Sequence, residues 1–134
     1  MKSNPKIIRL DDIAEINPVR KVVKGSLVPF INMAALSENS RDIDKNAIDQ
    51  KIVKGGGSHF KNFDTLLARI TPCLENGKTA NVKCLADNIV GEGSTEFIVL
   101  CGLESADNDY IYYLCRDPEF RKFAIKRMEG TSGR

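Results

Sequence analysis

The stretch of sequence that decides the fold is DTLLARITPCLENGKTANVKCL, residues 64–85. Its first part, Thr65–Ile70, is apolar apart from one arginine, which is typical of a buried strand. Thr79–Leu85 alternates in character and predicts a second strand. Asn76 and Gly77 lie between the two strands, and both central residues of a type I′ turn need a positive φ. The sequence therefore predicts an antiparallel hairpin centred on Asn76-Gly77.

Further strands are predicted on both sides of this hairpin. They are short apolar runs, whereas Gly91–Ser94 has the glycines and serine of a turn. The predicted strands are Leu27–Met33, Lys51–Val53 and Glu96–Leu100.

The end of the chain is predicted to be helical. In Asp109–Cys115 the apolar side chains fall on one helix face. Asp117, Pro118 and Glu119 then form a helix start, with an acidic N-cap, a proline in the first turn and a second acid facing the positive end of the helix dipole.

The predicted fold class is α+β, with a mixed, largely antiparallel twisted sheet, C-terminal helices and a single domain over residues 1–134. The length of 134 residues fits one domain with a core of its own. No apolar run approaches the ~20 residues of a membrane span, and the first ten residues lack the apolar region of a secretory signal. We therefore expect a cytoplasmic protein that does not interact with membranes.

The net charge and the cysteines exclude few classes of function by themselves. The 20 Lys+Arg and 18 Asp+Glu give a net charge of +2, which neither demands nor excludes a nucleic-acid partner. The four cysteines contain no C-x-x-C pair, and His59 is the only histidine. Because structural zinc sites usually use such pairs, we expect reduced core thiols and no metal site.

The sequence lacks a convincing motif for catalysis. Gly77-Lys78-Thr79 matches the end of a phosphate-binding P-loop, but Pro72 stands where that loop needs its first glycine. The residues that follow have strand character, whereas a P-loop opens a helix. The sequence predicts no catalytic residue, although a small thiol- or metal-dependent enzyme remains an alternative.

Two segments closely resemble the target recognition domain of type I restriction–modification specificity subunits. They read DTLLARITPCLENGK at residues 64–78 and GEGSTEFIVL at residues 91–100, and the ending agrees through MEGTSGR at residues 128–134. The resemblance extends from Leu10 to Arg134.

The resemblance implies that the domain reads one half of a split duplex DNA target and has no catalysis of its own. It implies methyltransferase (modification) and restriction subunits as partners, and places S-adenosylmethionine, ATP and magnesium on those subunits, so this chain needs no cofactor. A full subunit of this family carries two such domains separated by long helices. This sequence has one domain and no spacer helix, so we expect a truncated subunit.

Candidate DNA-binding residues lie outside the resembling motifs, because base contacts must differ between members of such a family. Two segments qualify, the basic residues Arg20–Gly25 and the glycine-containing Lys51–Lys61. Phosphate contacts give salt-dependent affinity, whereas side chains that both donate and accept can read base edges. The phosphate candidates are Lys21, Lys24, Lys54 and Lys61, with Lys78 and Arg134 in second rank; the base-edge candidates are Ser58 and His59.

An alternative from another class stays open at this point. The chain could be a protein–protein module that pairs with itself as a homodimer or docks a methyltransferase subunit. Exposed aromatic or apolar residues on the helical end would favour it.

Overall fold

The computed structural model describes residues 13–37, 40–69, 78–104 and 107–122. Eight strands precede the C-terminal helices. The strands are β1 (Ala14–Ile16), β2 (Leu27–Ile31), β3 (Ile48–Ile52), β4 (Ser58–Phe60), β5 (Thr65–Ala68), β6 (Thr79–Asn81), β7 (Gly91–Gly93) and β8 (Phe97–Gly102). The helix α1 spans Asp107–Arg116, and a second helical segment, α2, covers residues 118–122. Two 3-10 turns, Met33–Ala35 and Lys45–Ala47, lie between β2 and β3.

The strands form two four-stranded sheets, in the orders β1-β8-β5-β6 and β3-β2-β7-β4. The first sheet is antiparallel throughout, and in the second only β2 and β7 run parallel. The α+β class with a largely antiparallel arrangement is confirmed. The strands divide between two sheets because the apolar side chains of β5 and β8 need cover on both faces.

One face of the first sheet packs on the second sheet, and its other face packs on α1. Between the sheets lie Ile31, Phe60, Leu66, Phe97 and Val99, all almost completely buried. On the helix side the core includes Leu67, Ile98, Leu100, Ile111 and Cys115. Successive residues of β5 and β8 point to opposite faces of the sheet, so they pack alternately into the core between the sheets and into the core against α1. The molecule is therefore layered as sheet, sheet and helix.

The predicted pairing of β5 with β6 is confirmed, but its predicted centre is wrong. Thr65 pairs with Asn81 and Leu67 with Thr79, so the ladder is symmetric about residue 73. A two-residue turn at Asn76-Gly77 would place the centre of the hairpin between residues 76 and 77. Paired residues would then have numbers that add to 153, whereas those observed add to 146. The register is set by burying Leu66 and Leu67 on their correct faces. Asn76 and Gly77 themselves lie outside the described residues.

Two other predictions are corrected by the structure. Gly91–Ser94 was expected to be a turn, but Gly91–Gly93 is the central strand β7. Glycine is required there because a Cβ on Gly91 would lie 2.8 Å from Phe60 Cε1, so strand and ring could not pack so closely. The strand expected at Lys51–Val53 is β3, Ile48–Ile52, which pairs with all of β2.

The helical end agrees with the sequence. The Asp117 carboxylate accepts a hydrogen bond of 2.9 Å from the Glu119 N–H, as the N-cap prediction requires. Arg121 folds back and donates to the Cys115 carbonyl at 2.9 Å, which joins α2 to the end of α1. Within the described ranges, no helix is both long and apolar enough to pass through a membrane.

Candidate nucleic-acid interface

The two predicted basic segments lie side by side. The Gly25 N–H donates to the Val53 carbonyl at 2.8 Å, and the Val53 N–H donates to the Ser26 carbonyl at 2.9 Å. These bonds extend the β2–β3 ladder beyond its last strand pair. Lys24 and Lys54 adjoin this junction, and both are exposed. Two lysines that are far apart in the sequence therefore present their positive charge at one place.

The other two candidate lysines, Lys21 and Lys61, are next to a buried ion pair in the chain or in space. Arg20 donates to both oxygens of Asp64, at 3.0 and 3.3 Å, and their side chains are 13% and 3% exposed. The same carboxylate accepts from the Lys61 N–H at 2.9 Å. Lys21 follows Arg20 directly, and both lysines are exposed. Because Arg20 neutralises Asp64, the charge left at this point is that of Lys21 and Lys61.

Ser58 and His59 lie on β4, where their polar atoms already have partners. The Ser58 hydroxyl donates to the Ser94 carbonyl at 2.9 Å. His59 Nε2 lies 3.1 Å from Glu92 Oε1, and Glu92 is 3% exposed. Ser58 keeps its acceptor capacity, and the His59 contact uses Nε2 rather than Nδ1. Any base contact by His59 would therefore be made through Nδ1.

Glu92 organises the outer face of the second sheet. It pairs in register with His59 on β4 and with Phe30 on β2. Lys51 Nζ lies 3.7 Å from Glu92 Oε2 and 4.5 Å from the centroid of the Phe30 ring. The carboxylate thus has a histidine on one side and a lysine on the other, so Glu92 brings no unpaired negative charge to the centre of this face.

A cleft of about 380 Å³ joins these parts. One wall is the segment 17–20, held where the Asn17 side chain accepts from the Val99 N–H at 2.9 Å. The opposite wall is Gly57, Ser58 and His59. The exposed residues Arg69 and Thr95 also line the cleft, and Phe97 and Val99 add apolar surface to it. The cleft combines donors, acceptors and a cation, which is the mixture that base edges and phosphates require.

Two residues of this surface were not among the sequence candidates. Arg69 interrupts an otherwise apolar strand sequence, and that interruption was the available signal. Lys51 lies within a proposed segment, but only the sheet register places it beside Glu92. Neither position could be assigned to a surface before the strand pairing was known.

The second-rank candidates lie apart from the cleft or outside the described residues. Lys78 is partly buried, and its Nζ lies 3.4 Å from the Met33 carbonyl, away from the cleft lining. Arg134 lies outside the described residues. Of the eight sequence candidates, the structure places Ser58 and His59 in the cleft lining, Lys24 and Lys54 at the junction of the two segments, and Lys21 and Lys61 next to the Arg20–Asp64 pair.

No constellation for catalysis is apparent in the described part of the chain. There, no three His, Cys, Asp or Glu side chains lie where they could share a metal ion. Cys84, Cys101 and Cys115 are free thiols, and burial raises the pKa of each above its ordinary value. A raised pKa keeps a thiol protonated and makes it a poor nucleophile. Cys73 lies outside the described residues.

Comparison with known proteins identifies relatives of one kind. No protein-family model matches the chain. It is 35% identical over 133 residues to the type I restriction enzyme EcoEI specificity subunit of Escherichia coli, an alignment that covers 94% of this chain. It is also 35% identical over 127 residues to the type I restriction enzyme EcoAI specificity subunit of Escherichia coli, covering 92% of this chain.

The chain is homologous to part of these specificity subunits. The resemblance seen in residues 64–78 and 91–100 is thereby confirmed. The chain spans 22% and 21% of the lengths of the two specificity subunits, about a fifth of each.

A solved structure shares the fold. It comes from work on complex assembly and conformational transition of the type I R-M system, and superposes with a TM-score of 0.59 at 16% identity. The match covers 82% of this chain and 28% of that chain. At this identity the likeness establishes the common fold.

Proposed function

We propose that this chain is a non-catalytic DNA-binding domain that recognises one half of a bipartite duplex target. It acts in the cytoplasm as part of a type I restriction–modification complex, with methyltransferase and restriction subunits as its partners. Residues 1–134 form a single target recognition domain. The chain itself needs no cofactor, since the chemistry of the complex lies on the partner subunits.

The observation that carries this proposal is the convergence of two basic segments around one cleft. Arg20 of the first segment and Ser58 and His59 of the second line the cleft, and each segment also carries two exposed candidate lysines. The carboxylates of Asp64 and Glu92 are buried and ion-paired, whereas Asp49 on β3 is exposed. The lysines of these segments fit phosphate contacts that set position, and the cleft fits base contacts that give specificity.

The test is the salt dependence of binding to labelled random duplex DNA, followed by fluorescence anisotropy. Binding should weaken steeply as salt rises, since each neutralised phosphate releases counterions. Lys54→Ala and Lys61→Ala should each weaken binding to all sequences and reduce the salt slope by about one unit.

The matched control is Lys122→Ala, an exposed lysine on the helical layer. Its slope should equal that of the unmodified chain. An unchanged slope in both rim variants would contradict the assignment of Lys54 and Lys61. Absence of any DNA binding at low salt would contradict DNA binding by this chain.

The alternative function, a protein–protein module, is favoured by one feature of α1. Tyr110 and Tyr113 are 46% and 61% exposed, and nearby Leu103 is 57% exposed. Sedimentation analysis would distinguish the two functions. A stable dimer that Tyr110→Lys converts to a monomer, together with no DNA binding, would favour the module.

A further inference from the structure

Phe63 has a backbone conformation that suits glycine. The Asp64 N–H donates to the Lys61 carbonyl at 3.2 Å, so residues 61–64 form a turn. Phe63 has a φ of +79°, whereas Asn62 is not among the residues with positive φ. A positive φ at the third position alone is the geometry of a type II turn, which prefers Gly or Asn there. A bulky side chain at this position is strained.

The strain is not relieved by packing, because the Phe63 side chain is 55% exposed. Its backbone is nevertheless tied on both sides. The Phe63 N–H donates to the Val82 carbonyl, and the Phe63 carbonyl accepts from the Asn81 side chain at 3.0 Å. Asn62 makes two hydrogen bonds to the Leu85 backbone, at 2.8 and 3.0 Å. The turn therefore has a fixed backbone and presents an exposed ring.

One exposed lysine belongs to the turn itself. Lys61 begins the turn, whereas Lys83, next to the Val82 carbonyl to which Phe63 is bonded, lines a separate cavity with Asp42 and helps to lower the pKa of Asp109. The adjacent carboxylate, Asp64, is buried under Arg20. The turn continues directly from β4, whose Ser58 and His59 line the cleft. An exposed aromatic ring in a turn that begins with an exposed lysine suits duplex DNA, whose phosphates are anionic and whose bases are flat and apolar.

We propose that Phe63 is a wedge that inserts at a base step of duplex DNA while Lys61 contacts a neighbouring phosphate. The proposal rests on the proposed function and adds a site to it. Apolar side chains used in this way partly unstack the bases and bend the duplex. Strained residues that the surrounding structure holds in place concentrate at functional sites, which fits a ring retained for what it touches.

The test uses the full chain and duplexes that carry 2-aminopurine at TA steps, which unstack readily. Insertion should raise 2-aminopurine fluorescence on binding. Phe63→Gly should abolish this rise and weaken binding about tenfold to a hundredfold, the range expected for loss of one stacking contact. Its salt slope should stay unchanged, because no phosphate contact is lost. Phe63→Leu, which keeps an apolar wedge, should retain most of the fluorescence rise.

Two measurements distinguish insertion of the Phe63 ring from unfolding and from general apolar contact. Phe63→Gly relieves the positive φ, so its melting temperature should not fall, and weaker binding cannot then be attributed to unfolding. Leu103→Ala removes another exposed apolar side chain, beyond the end of β8, and should leave DNA binding unaltered. Lys61→Ala should change the salt slope, unlike Phe63→Gly.

Equal affinity and equal fluorescence for Phe63→Gly and the unmodified chain would overturn the wedge but leave DNA binding intact. Phe63 would then serve another surface, such as a protein contact. No DNA binding by the unmodified chain would instead overturn the proposed function, and the wedge with it. The two failures are therefore distinguishable.

Discussion

At the residue scale, Cys115 shows how burial controls a reactive group. Its side chain is completely buried against Ile111, Leu67 and the first sheet. Burial raises the pKa of this thiol from its ordinary value near 9 to about 12. The native state therefore favours the protonated thiol. This contribution to stability is complete below about pH 9 and is lost as the pH rises towards 12.

Cys115 should consequently resist alkylation in the folded chain. At about pH 8, iodoacetamide should modify the half-buried Cys84 well before Cys115, and denaturant should equalise the two rates. Peptide mapping by mass spectrometry gives the rate at each cysteine. Modification of Cys115 as fast as Cys84 in the native chain would contradict its burial.

Among the described residues, three that are not glycine have a positive φ, and one of these three is of an unusual type for that conformation. Asn17 and Asn88 have φ of 50° and 63°, and asparagine tolerates this region because its short side chain can bond locally. The Asn17 side chain also accepts a hydrogen bond from the Val99 backbone. The Phe63 side chain has no polar group that could make such a bond. The local sequence also gave no reason to single out this residue. Only the backbone geometry revealed it.

At the scale of the element, β7 depends on having no side chain at two of its three positions. A Cβ on Gly93 would lie 2.6 Å from Phe97 Cε2 and 2.9 Å from the Ile31 carbonyl oxygen. The ring is confined by the core and the carbonyl belongs to the neighbouring strand, so neither can move away easily. Gly93 therefore sets the distance between the two sheets.

Gly93→Ala should destabilise the fold by about 2–3 kcal/mol, as expected for overpacking of a well-packed core. Urea unfolding followed by circular dichroism measures the loss. Gly56→Ala is the matched control: a Cβ there meets no atom within 4 Å, although its φ is +75°. That change should cost only about 1 kcal/mol. Equal losses for the two variants would contradict the close approach at Gly93.

One arginine from a distant loop contacts the helix α1. Arg41 donates to Asp109 at 2.7 Å and lies over the Tyr112 ring, 5.0 Å from its centroid. The hydrogen bond to Asp109 raises the pKa of Arg41 and lowers that of Asp109. The pair thereby joins the loop between the two 3-10 turns to the helical layer.

At the scale of the whole molecule, the ion pair of Arg20 and Asp64 is one of the contacts that hold a wall of the cleft in place. It fixes the segment 17–20 against the start of β5, and the Lys61 N–H shares the same carboxylate. Without the ion pair, the segment 17–20 would keep the two hydrogen bonds between Asn17 and Val99 but lose its attachment to the start of β5.

Arg20→Met should destabilise the fold by about 3–5 kcal/mol, because it leaves a buried carboxylate without its cation. The double variant Arg20→Met with Asp64→Asn should lose less than the sum of the two single losses, since the unpaired charge is then absent as well. Denaturant titration of all four proteins gives the coupling energy. Additive losses would contradict a direct interaction between the two side chains.

The layered arrangement also separates two surfaces. The cleft is lined by β4 of the second sheet and by Phe97 and Val99 of the first, whereas α1 exposes Tyr110 and Tyr113. Under the proposed function, the cleft would face DNA and the exposed tyrosines would be free to contact a partner subunit.

The sequence by itself determined the class of the fold, the pairing of β5 with β6 and the helix start at Asp117. These features follow from apolar periodicity and capping chemistry, which act over a few residues. The family resemblance likewise rested on two continuous segments, and both lysine-bearing loops were identified from local composition.

Only the tertiary structure decided the register of the hairpin, the strand at Gly91–Gly93 and the meeting of the two basic segments. Each depends on contacts between residues far apart in the chain: Leu66 and Leu67 with β8, Gly93 with Ile31, and Gly25 with Val53. The backbone of Phe63 is likewise tied by hydrogen bonds to Asn81 and Val82. Packing and hydrogen bonding across strands set these features, and neither has a local signature in the sequence.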